Sequence, residues 1–221
     1  MINYRPVSQL SFLSKLIKRV VYRRLSKYLY DNSLCDPNQA AYRRHHSCES
    51  VVIHVCDTAL RGMDSGRVTP LLMLDLSSAF DTVDHPILLQ CLASLGVCAS
   101  ALQWFSCYLS SRSQSVCING VQSRPLALHS GVPQGSVLGP LLFTIYLLGI
   151  GNIIKEFGLE YKVYTDDVQL YTTFIPTDAP QVAEGFQKCV EQLQSWLLSR
   201  HLVLNWSKTE LLLIGTKVAV D

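Results

Sequence analysis

The stretch Tyr164-Thr165-Asp166-Asp167 places two adjacent aspartates in an otherwise apolar segment. Apolar residues alternate on both sides of it, namely Leu159, Tyr161 and Val163 before and Val168, Leu170 and Tyr171 after. Alternation is typical of β-strands, and a tight bend between two strands lets both carboxylates reach one site. A second interpretation stays open, since adjacent aspartates also occur in ordinary surface turns.

A third aspartate, Asp75, ends the apolar run Leu71–Leu74 much earlier in the chain. Short apolar runs of this kind indicate buried strands. A carboxylate at the end of such a strand is costly to desolvate unless it is paired or binds a cation. Three carboxylates brought together by two strands would form an oxygen-rich site of the kind that holds Mg²⁺. Such a site suits two-metal phosphoryl or nucleotidyl transfer.

An uncharged segment lies between the two aspartate sites, from Gly131 to Ile154, and its length could span a bilayer. Its first third is polar, and prolines and glycines divide the segment throughout, at Pro133, Gly135, Gly139, Pro140, Gly149 and Gly151. We therefore interpret the segment as a loop followed by a buried helix over about 137–148, and we expect no membrane span.

Three motifs follow one another along the chain, Leu-Asp-Leu-Ser-Ser-Ala-Phe-Asp-Thr-Val-Asp-His (74–85), Gly-Val-Pro-Gln-Gly-Ser (131–136) and Tyr-Thr-Asp-Asp (164–167). Their order resembles that of reverse transcriptases, and more narrowly the reverse transcriptase domain of non-LTR (LINE-type) retrotransposons. The resemblance extends over most of the chain, from residues 3–8 to residues 205–210. Several spaced motifs in the right order are far more specific than any one of them.

This resemblance implies an α+β fold, a right-hand polymerase palm of split βαβ, ferredoxin-like topology with partial helical fingers and a largely missing thumb. It implies a fingers portion in 1–70, a palm with the catalytic motifs and interleaved fingers elements in 71–215, and a tail in 216–221. The implied activity is that of an RNA-directed DNA polymerase, a nucleotidyltransferase that adds deoxynucleoside triphosphates to a primer 3′-hydroxyl. Its partners would be an RNA template, a DNA primer and the nucleotides.

The resemblance also implies a metal site with two Mg²⁺ ions, for which Mn²⁺ can substitute. Asp75 and Asp166 would be the principal metal ligands, and Asp167 would lie in a supporting position. Leu76 would offer its backbone carbonyl to the metal. Metal ions are needed because negative charge accumulates on the phosphoryl oxygens in the transition state.

Further roles carry over by the same resemblance. Phe80 corresponds to the sugar gate that favours deoxynucleotides, and Gln134 and Gly135 match the motif that lines the nucleotide pocket and the template strand. Arg43 corresponds to the fingers arginine that grips the triphosphate through bidentate contacts. Lys208 matches the lysine that donates a proton to the leaving pyrophosphate.

The residues by themselves leave simpler alternatives open. Phe80 is also compatible with a core aromatic, Gln134 with a turn residue, and Lys208 with an ordinary exposed lysine. Asp81 and Asp84 are predicted to be turn and helix-cap residues rather than metal ligands.

Two local departures from the family pattern bear on activity. The segment Gln39–Arg43 has alanine where the family has glycine in its Gln-x-Gly-Phe-Arg pattern, and we expect the loss of that glycine to affect the backbone there. Thr165 takes the place of the usual alanine and adds a β-branch beside the predicted metal site. A larger departure is length, since the endonuclease and most of the thumb are missing from the sequence. A non-catalytic retrotransposon remnant, or a nucleic-acid-binding module that keeps the fold, is therefore the alternative function.

Composition fits a folded enzyme core. The 221 residues are 48% hydrophobic and 16% charged, with a net charge of +2, so the chain is no disordered tail. Basic residues concentrate near the start, which favours phosphate backbones or marks a solvated helix face: Lys15, Lys18, Arg19, Arg23, Arg24, Lys27, Arg43 and Arg44. Eight scattered cysteines without C-x-x-C spacing predict reduced core thiols in an intracellular protein of nucleus or cytoplasm, and a zinc site at His45-His46-x-Cys48 is not expected.

Periodicity predicts the remaining elements. An amphipathic helix with a basic back is expected from Phe12 to Leu29, with Phe12, Leu13, Leu16, Ile17, Val20, Val21, Leu25 and Leu29 on its apolar face. Further helices are expected over 47–59, 84–95, 101–109 and 178–199. Strands are expected over 71–74, 115–118 and 209–215, with an Asn119-Gly120 hairpin turn after the second.

Overall fold

The computed structural model describes residues 12–43, 45–133 and 135–216. Its helices are α1 (Phe12–Asp31), α2 (Cys48–Asp64), α3 (His85–Ser94), α4 (Ala99–Leu109), α5 (Gly139–Tyr146), α6 (Ile150–Glu156) and α7 (Ala179–Ser199). Its strands are β1 (Thr69–Leu74), β2 (Leu76–Ser77), β3 (Arg112–Gln114), β4 (Cys117–Ile118), β5 (Val121–Gln122), β6 (Leu126–Leu128), β7 (Glu160–Tyr164), β8 (Asp167–Tyr171), β9 (Val203–Leu204) and β10 (Glu210–Ile214).

The chain divides into two compact units. The helical unit comprises 12–34 and 80–146 of the described residues, and the sheet unit comprises 35–79 and 147–216. Each unit is therefore built from two separate stretches of the chain, and the predicted catalytic aspartates all belong to the sheet unit.

The sheet unit is organised around a four-stranded sheet in the order β10-β1-β8-β7. Neighbouring strands are antiparallel throughout. β1 is apolar after Thr69 and occupies an inner position, as the run Leu71–Leu74 predicts. Helix α2 covers one face, where Val55 packs with Leu71 and Tyr171 in a buried cluster.

Helix α7 lies against α6 and supplies the sheet unit with a second apolar stripe. Its buried residues recur every three or four positions, as expected for a helix with one face in the core: Phe186, Cys189, Leu193 and Leu197. Tyr161 of β7 is also buried, and its hydroxyl donates hydrogen bonds of 3.0 and 2.9 Å to the two carboxylate oxygens of Asp36.

The helical unit packs α3 against α4 and α5. Asp84 caps α3, since its Oδ1 accepts a 2.9 Å hydrogen bond from the backbone N–H of Ile87, and Pro86 occupies the first turn. The buried Tyr146 of α5 accepts a 3.2 Å hydrogen bond from the Asp84 N–H at its hydroxyl. The predicted cap role of Asp84 is therefore confirmed.

One expectation about the helices needs correction. The stripe predicted for α1 is exposed over its first half, with Phe12 72% and Ile17 57% accessible, while Leu25, Leu29 and the unexpected Lys18 are buried. The spacing of the apolar residues identifies a stripe along the helix, but it does not show how much of that stripe the core covers. The helix expected over 137–148 is present as α5, and a further helix, α6, begins after Gly149, which adopts a left-handed φ of 103°.

The expectations for the strand at 115–118 and for the cysteines were also partly wrong. Pairing begins earlier, at β3, and resumes at β4, while Asn119 and Gly120 form the predicted two-residue turn with φ of 50° and 80°. All eight cysteines are free, as predicted, but only Cys189 is buried and six are exposed. On α2 the thiols of Cys48 and Cys56 are exposed, whereas Val51, Val55 and Ala59 are buried.

Among the described residues, no helix combines the length and apolar character that crossing a membrane would require. The longest apolar helix of the 131–154 segment, α5, has only eight residues.

Candidate active site

The predicted catalytic aspartates lie at one end of two neighbouring strands. Leu74, the last residue of β1, pairs with Val168 of β8, so continuation of the antiparallel register places Asp75 opposite Asp167. On the other side of β8, Tyr164 pairs with Asp167, which leaves Thr165 and Asp166 as a two-residue turn. The tight bend predicted from the sequence is therefore present, and the backbone brings Asp75 and Asp167 side by side with Asp166 next to them.

The carboxylate of Asp75 is held by two polar side chains. Its Oδ2 accepts a 3.0 Å hydrogen bond from the Asn205 side-chain amide. The ammonium of Lys208 lies 3.4 Å from the same oxygen. The Asp75 side chain is only 20% exposed, so these partners compensate much of the cost of removing its charge from water.

Asn205 also fixes the backbone at this point. Its N–H donates a 2.8 Å hydrogen bond to the carbonyl oxygen of Asp75, and β2 pairs with β9 immediately beside it through Leu76 and Leu204. Its own side-chain oxygen accepts a 2.7 Å hydrogen bond from Ser207. Sequence reasoning gave Asn205 no role at Asp75, because a contact across such a separation in the chain leaves no local pattern.

Carboxylate oxygens are the donors that a hard divalent cation such as Mg²⁺ prefers, so the donor chemistry fits the metal implied by the resemblance. In the described part of the chain, however, no group of three or more His, Cys, Asp or Glu side chains is arranged so as to hold a metal ion. The three aspartates are thus neighbours by backbone placement, and their side chains are not gathered into a metal-binding cluster. One oxygen of Asp75 is instead satisfied by the cation of Lys208.

The turn itself is strained. Thr165 has a φ of 63°, in the left-handed region that β-branched residues rarely adopt, and its side chain is buried. Asp166 is half-buried and Asp167 is exposed. The departure at Thr165 noted from the sequence therefore has a structural cost, which falls on the backbone between the strands.

Arg43 belongs to a segment that runs along the outer edge of β7. Ala40 N–H donates to the carbonyl of Val163 at 2.9 Å, and Val163 N–H donates to the carbonyl of Asn38 at 3.0 Å. The Arg43 guanidinium donates a 3.1 Å hydrogen bond to the carbonyl of Pro37. Arg43 therefore follows the segment 38–40, which pairs with β7. The strand β7 leads to the aspartate turn.

The expected loss of a glycine in this segment has no backbone consequence that we observe. Ala41, at the glycine position of the family pattern, is buried and is not among the described residues with positive φ. The left-handed residue is its neighbour Tyr42, with φ of 58°.

In the helical unit, the loop that begins at Ser130 is fixed to the segment 80–84. Gly131 N–H donates to the Val83 carbonyl, and Val132 N–H donates to the Phe80 carbonyl, both at 2.8 Å. Gly131 has a φ of 85°, and a Cβ there would meet the Asp81 carbonyl oxygen at 2.8 Å, so this position needs glycine. His85 completes the attachment, since its Nε2 donates to the Gly131 carbonyl at 2.9 Å.

The predicted nucleotide-pocket residues of this unit differ in exposure and in whether the structure describes them. Gly135 is exposed with a left-handed φ of 81°, and Gln134 lies outside the described residues. Phe80 is half-buried and stacks on Phe143, with ring centroids 4.7 Å apart. The interpretation of Phe80 as a core aromatic therefore applies to at least one of its faces.

Comparison with known proteins agrees with the motifs. The family model described as "Reverse transcriptase (RNA-dependent DNA polymerase)" matches residues 1–219. Among curated relatives, a probable RNA-directed DNA polymerase from transposon BS of Drosophila melanogaster is 28% identical over 94% of this chain and 23% of its own length. The RNA-directed DNA polymerase from mobile element jockey of Drosophila funebris is 28% identical over 93% of this chain and 23% of its own length.

A polyprotein from the type-1 retrotransposable element R2 of Popillia japonica is 27% identical over 84% of this chain and 27% of its own length. The chain thus spans about a quarter of the length of the curated relatives it matches. Non-LTR elements are therefore among its relatives, as the resemblance implied.

Solved structures give the same fold. The telomerase of Candida albicans, in complex with a TWJ fragment of telomeric RNA, superimposes with a TM-score of 0.64 at 16% identity, over 90% of this chain and 35% of that one. The apo telomerase of Candida tropicalis gives a TM-score of 0.64 at 13% identity, over 88% of this chain and 36% of that one. At these identities the likeness concerns the fold alone, which mixes helices and sheet. Because the family match covers nearly the whole sequence and includes the loop and both aspartate segments, this chain belongs to the reverse transcriptase family.

Proposed function

We propose that this chain is the catalytic core of an RNA-directed DNA polymerase, which adds deoxynucleoside triphosphates to a primer 3′-hydroxyl on an RNA template. The observation that carries the proposal is the placement of Asp75, Asp166 and Asp167 at one end of two adjacent strands. The relatives named as RNA-directed DNA polymerases support it, although each of them is about four times as long as the stretch matched here.

The four-stranded sheet serves as the polymerase palm in this proposal. The strand order β10-β1-β8-β7, with antiparallel neighbours, supports the split βαβ, ferredoxin-like topology that this proposal assigns to the palm. The palm then covers 71–215 with fingers elements interleaved, the fingers portion covers 1–70, and 216–221 form a tail. The aspartates lie where β1 ends and β8 begins, at the sheet end that would face primer and nucleotide.

Asp75, Asp166 and Asp167 would hold Mg²⁺ or Mn²⁺, with the Leu76 carbonyl as a further oxygen donor. When bound, the ions supply an activated 3′-oxygen and charge stabilisation at the phosphoryl oxygens. Asn205 orients the Asp75 carboxylate by its 3.0 Å hydrogen bond and leaves Oδ1 for another partner. Lys208 would exchange its contact with Asp75 for the leaving pyrophosphate and donate a proton to it.

The remaining assignments concern nucleotide and template. The Arg43 guanidinium would release the Pro37 carbonyl and bind the triphosphate, for which its planar fork is suited. Phe80 would exclude a ribose 2′-hydroxyl, and Gln134 with Gly135 would line the pocket beside the template. Gly135 supports this role by its left-handed backbone and exposed position, which permit close approach of a ligand.

A second candidate function is a nucleic-acid-binding module that keeps the fold without turnover. It is favoured by one observation, namely that Lys208 and Asn205 already satisfy Asp75 while the described carboxylates form no metal-binding cluster. In this case the aspartates would stabilise the sheet end and carry no chemistry.

Primer extension separates the two. The chain and its Asp166→Asn variant are incubated with a poly(A) template, an oligo(dT) primer, dTTP and Mg²⁺, and the products are resolved by length. We expect extension by the parent chain and none by the variant. A parent chain without activity, when a longer version joined to the segments that follow the matched stretch in its relatives extends the same primer, would place the defect outside this chain.

The melting temperature gives an independent measurement of the metal site. Mn²⁺ together with dTTP should raise the melting temperature of the parent chain, and Asp166→Asn should abolish the increase. Equal behaviour of both proteins, together with no extension by the longer version, would support the non-catalytic function.

A further inference from the structure

The helical unit has a marked excess of positive charge. The sequence contains no Asp or Glu between Asp84 and Glu156, and the stretches 1–34 and 80–146 carry nine Lys and Arg residues against three aspartates. A surface of one sign attracts counter-charged ligands even when the whole chain is nearly neutral. Within this unit, one place combines such charge with burial.

Two cations converge on the ring of Tyr108. The ammonium of Lys18, on α1, lies 5.2 Å from the ring centroid, and the guanidinium of Arg112, in β3, lies 5.4 Å from it. Trp104 stacks on the same tyrosine one helical turn earlier, with centroids 5.4 Å apart and an interplanar angle of 5°. Cation–π contacts of this length attract both cations to the ring, but they leave the two positive charges close together.

Neither cation has a carboxylate partner among the described residues. Lys18 is only 7% exposed, and in the part of the chain that the structure describes no ion pair joins Lys18 or Arg112 to a carboxylate. Burial lowers the pKa of Lys18, and repulsion by Arg112 lowers it further. A buried lysine beside a second cation is unfavourable in the free protein, and the attraction of a bound anion would offset both effects.

The hydroxyl of Tyr108 adds an unused polar atom to this group. It is buried, and within the described residues it has no hydrogen-bond partner. Burial raises the pKa of the hydroxyl, so it stays protonated and can donate. Ser136 and Arg112 lie close enough to lower that pKa in part, although neither makes a hydrogen bond of ordinary geometry to the oxygen. A buried donor without an acceptor calls for an explanation, and an external acceptor is one.

We propose that Lys18, Arg112 and the Tyr108 hydroxyl form a binding site for one phosphodiester group of a nucleic-acid strand. Two cations and one neutral donor match a phosphate, which carries one negative charge and accepts several hydrogen bonds. Ser136, which lowers the pKa of the Tyr108 hydroxyl, belongs to the loop that begins at Ser130, and the proposed function assigns part of that loop to the template. The inference rests on that proposed function for the identity of the strand, and we therefore assign the phosphate to the RNA template.

Binding of a fluorescently labelled single-stranded RNA to the full chain tests the site. Fluorescence anisotropy is measured over a salt series for the parent chain, Lys18→Met and Arg112→Gln. The matched control is Lys15→Gln, which removes one charge from an exposed lysine on the same helix. We expect about tenfold weaker binding for each site variant, as for loss of a charged hydrogen bond, and about twofold or less for the control. The slope of log affinity against log salt should fall by about 0.7 for each site variant.

The melting temperature without RNA distinguishes binding from a structural role. Lys18→Met removes a desolvated cation and keeps an unbranched chain over the ring, so its melting temperature should equal or exceed that of the parent. A large decrease in melting temperature, with RNA affinity no weaker than that of Lys15→Gln, would overturn the proposal. If Lys18→Met does not fold, the melting temperature and RNA affinity of Arg112→Gln decide the question in the same way.

Inorganic phosphate distinguishes the two sources of the anion. At constant ionic strength it should compete only weakly with RNA. Strong competition, together with a phosphate-dependent melting temperature that Lys18→Met abolishes and an RNA affinity that it leaves unchanged, would indicate a site for free phosphate and overturn the assignment to a strand. If RNA binding depends on Lys18 but the chain has no polymerase activity, the phosphate site is supported and only the proposed function is contradicted.

Discussion

The Asn205 side chain donates a 3.0 Å hydrogen bond to Oδ2 of Asp75, and its backbone N–H donates a 2.8 Å hydrogen bond to the Asp75 carbonyl. One residue thus holds both the side chain and the main chain of the aspartate. Because Asp75 directly follows β1, these two hydrogen bonds fix the direction in which its carboxylate projects from the end of the sheet. The position of Asp75 is therefore defined before any ligand binds, which is what a binding site for a metal or a reactant requires.

Asn205→Ala should destabilise the chain by about 1.5–3 kcal/mol, since it removes a hydrogen bond to a partly buried carboxylate. The free energy of unfolding is measured by urea denaturation. Asn152→Ala, an exposed asparagine on α6, is the control and should change it by less than about 0.5 kcal/mol. Equal effects of the two substitutions would mean that the Asn205 contact contributes little to the fold.

Lys208→Gln should separate stability from activity. The Lys208 side chain is 58% exposed, so loss of its 3.4 Å contact with Asp75 should cost less than about 1 kcal/mol. As the proposed proton donor to pyrophosphate, it should contribute a factor of about 100 or more to the rate of nucleotide addition. Single-turnover primer extension and urea denaturation of the same protein give both numbers. If the rate of nucleotide addition falls no more than the small change in unfolding free energy explains, Lys208 takes no part in the reaction.

The sequence predicts this end of the sheet well because the relevant signals are local. Alternation around Tyr164–Asp167 gives the hairpin, and the run before Asp75 gives the central strand. Asn205 and Lys208 both contact Asp75, which lies far from them in the chain. No local periodicity in the sequence therefore predicts these two contacts. The exposed first half of α1 was mispredicted for a related reason, since helical spacing identifies a stripe but not what covers it.

Thr165→Gly should stabilise the chain by about 0.5–1 kcal/mol, because glycine adopts the left-handed φ of 63° without the steric cost that a β-branched residue bears. Thermal denaturation measures the change. Thr172→Gly, just after β8 at a residue without positive φ, is the matched control and should be destabilising. Destabilisation by Thr165→Gly as large as in the control would show that the buried Thr165 side chain contributes more than its backbone costs.

Stability should fall at alkaline pH because of Tyr161. Burial raises the pKa of Tyr161 to about 12, with a further rise from Asp36 and a partial offset from Asn38. Its pKa in the unfolded chain is about 10. Between these values the native state keeps a proton that the unfolded state loses, so the contribution is complete below pH 10 and decreases as the pH rises towards 12.

Urea denaturation at pH 8, 10 and 11 measures this dependence. The difference in unfolding free energy between the parent chain and Tyr161→Phe should shrink above pH 10, by at most about 1.4 kcal/mol per pH unit. Tyr30→Phe, at a tyrosine that is 73% exposed, should show no such change in the difference. A constant difference for Tyr161→Phe up to pH 11 would contradict the raised pKa.

The Tyr161 hydroxyl also explains why Gly151 is a glycine. Gly151 lies inside α6, where alanine is ordinarily favoured by about 1 kcal/mol, yet an added Cβ would overlap the Tyr161 hydroxyl and ring. Gly151→Ala should therefore displace Tyr161, break its hydrogen bonds to Asp36 and destabilise the sheet unit by about 2 kcal/mol or more. Gly185→Ala in α7 meets nothing within 4 Å and should be stabilising by about 0.5–1 kcal/mol.

A double-mutant cycle shows whether the hydroxyl is the obstacle. In a Tyr161→Phe background, Gly151→Ala still meets the ring but no longer meets the oxygen or disrupts its hydrogen bonds to Asp36. The cost of Gly151→Ala should then fall by about 1 kcal/mol or more, whereas Gly185→Ala should have the same effect in both backgrounds, because it touches neither residue. Urea denaturation of the single and double variants gives the coupling free energy. Additive effects of Gly151→Ala and Tyr161→Phe would mean that the helix shifts as a whole to make room, and that the close approach of α6 to β7 does not depend on the tyrosine.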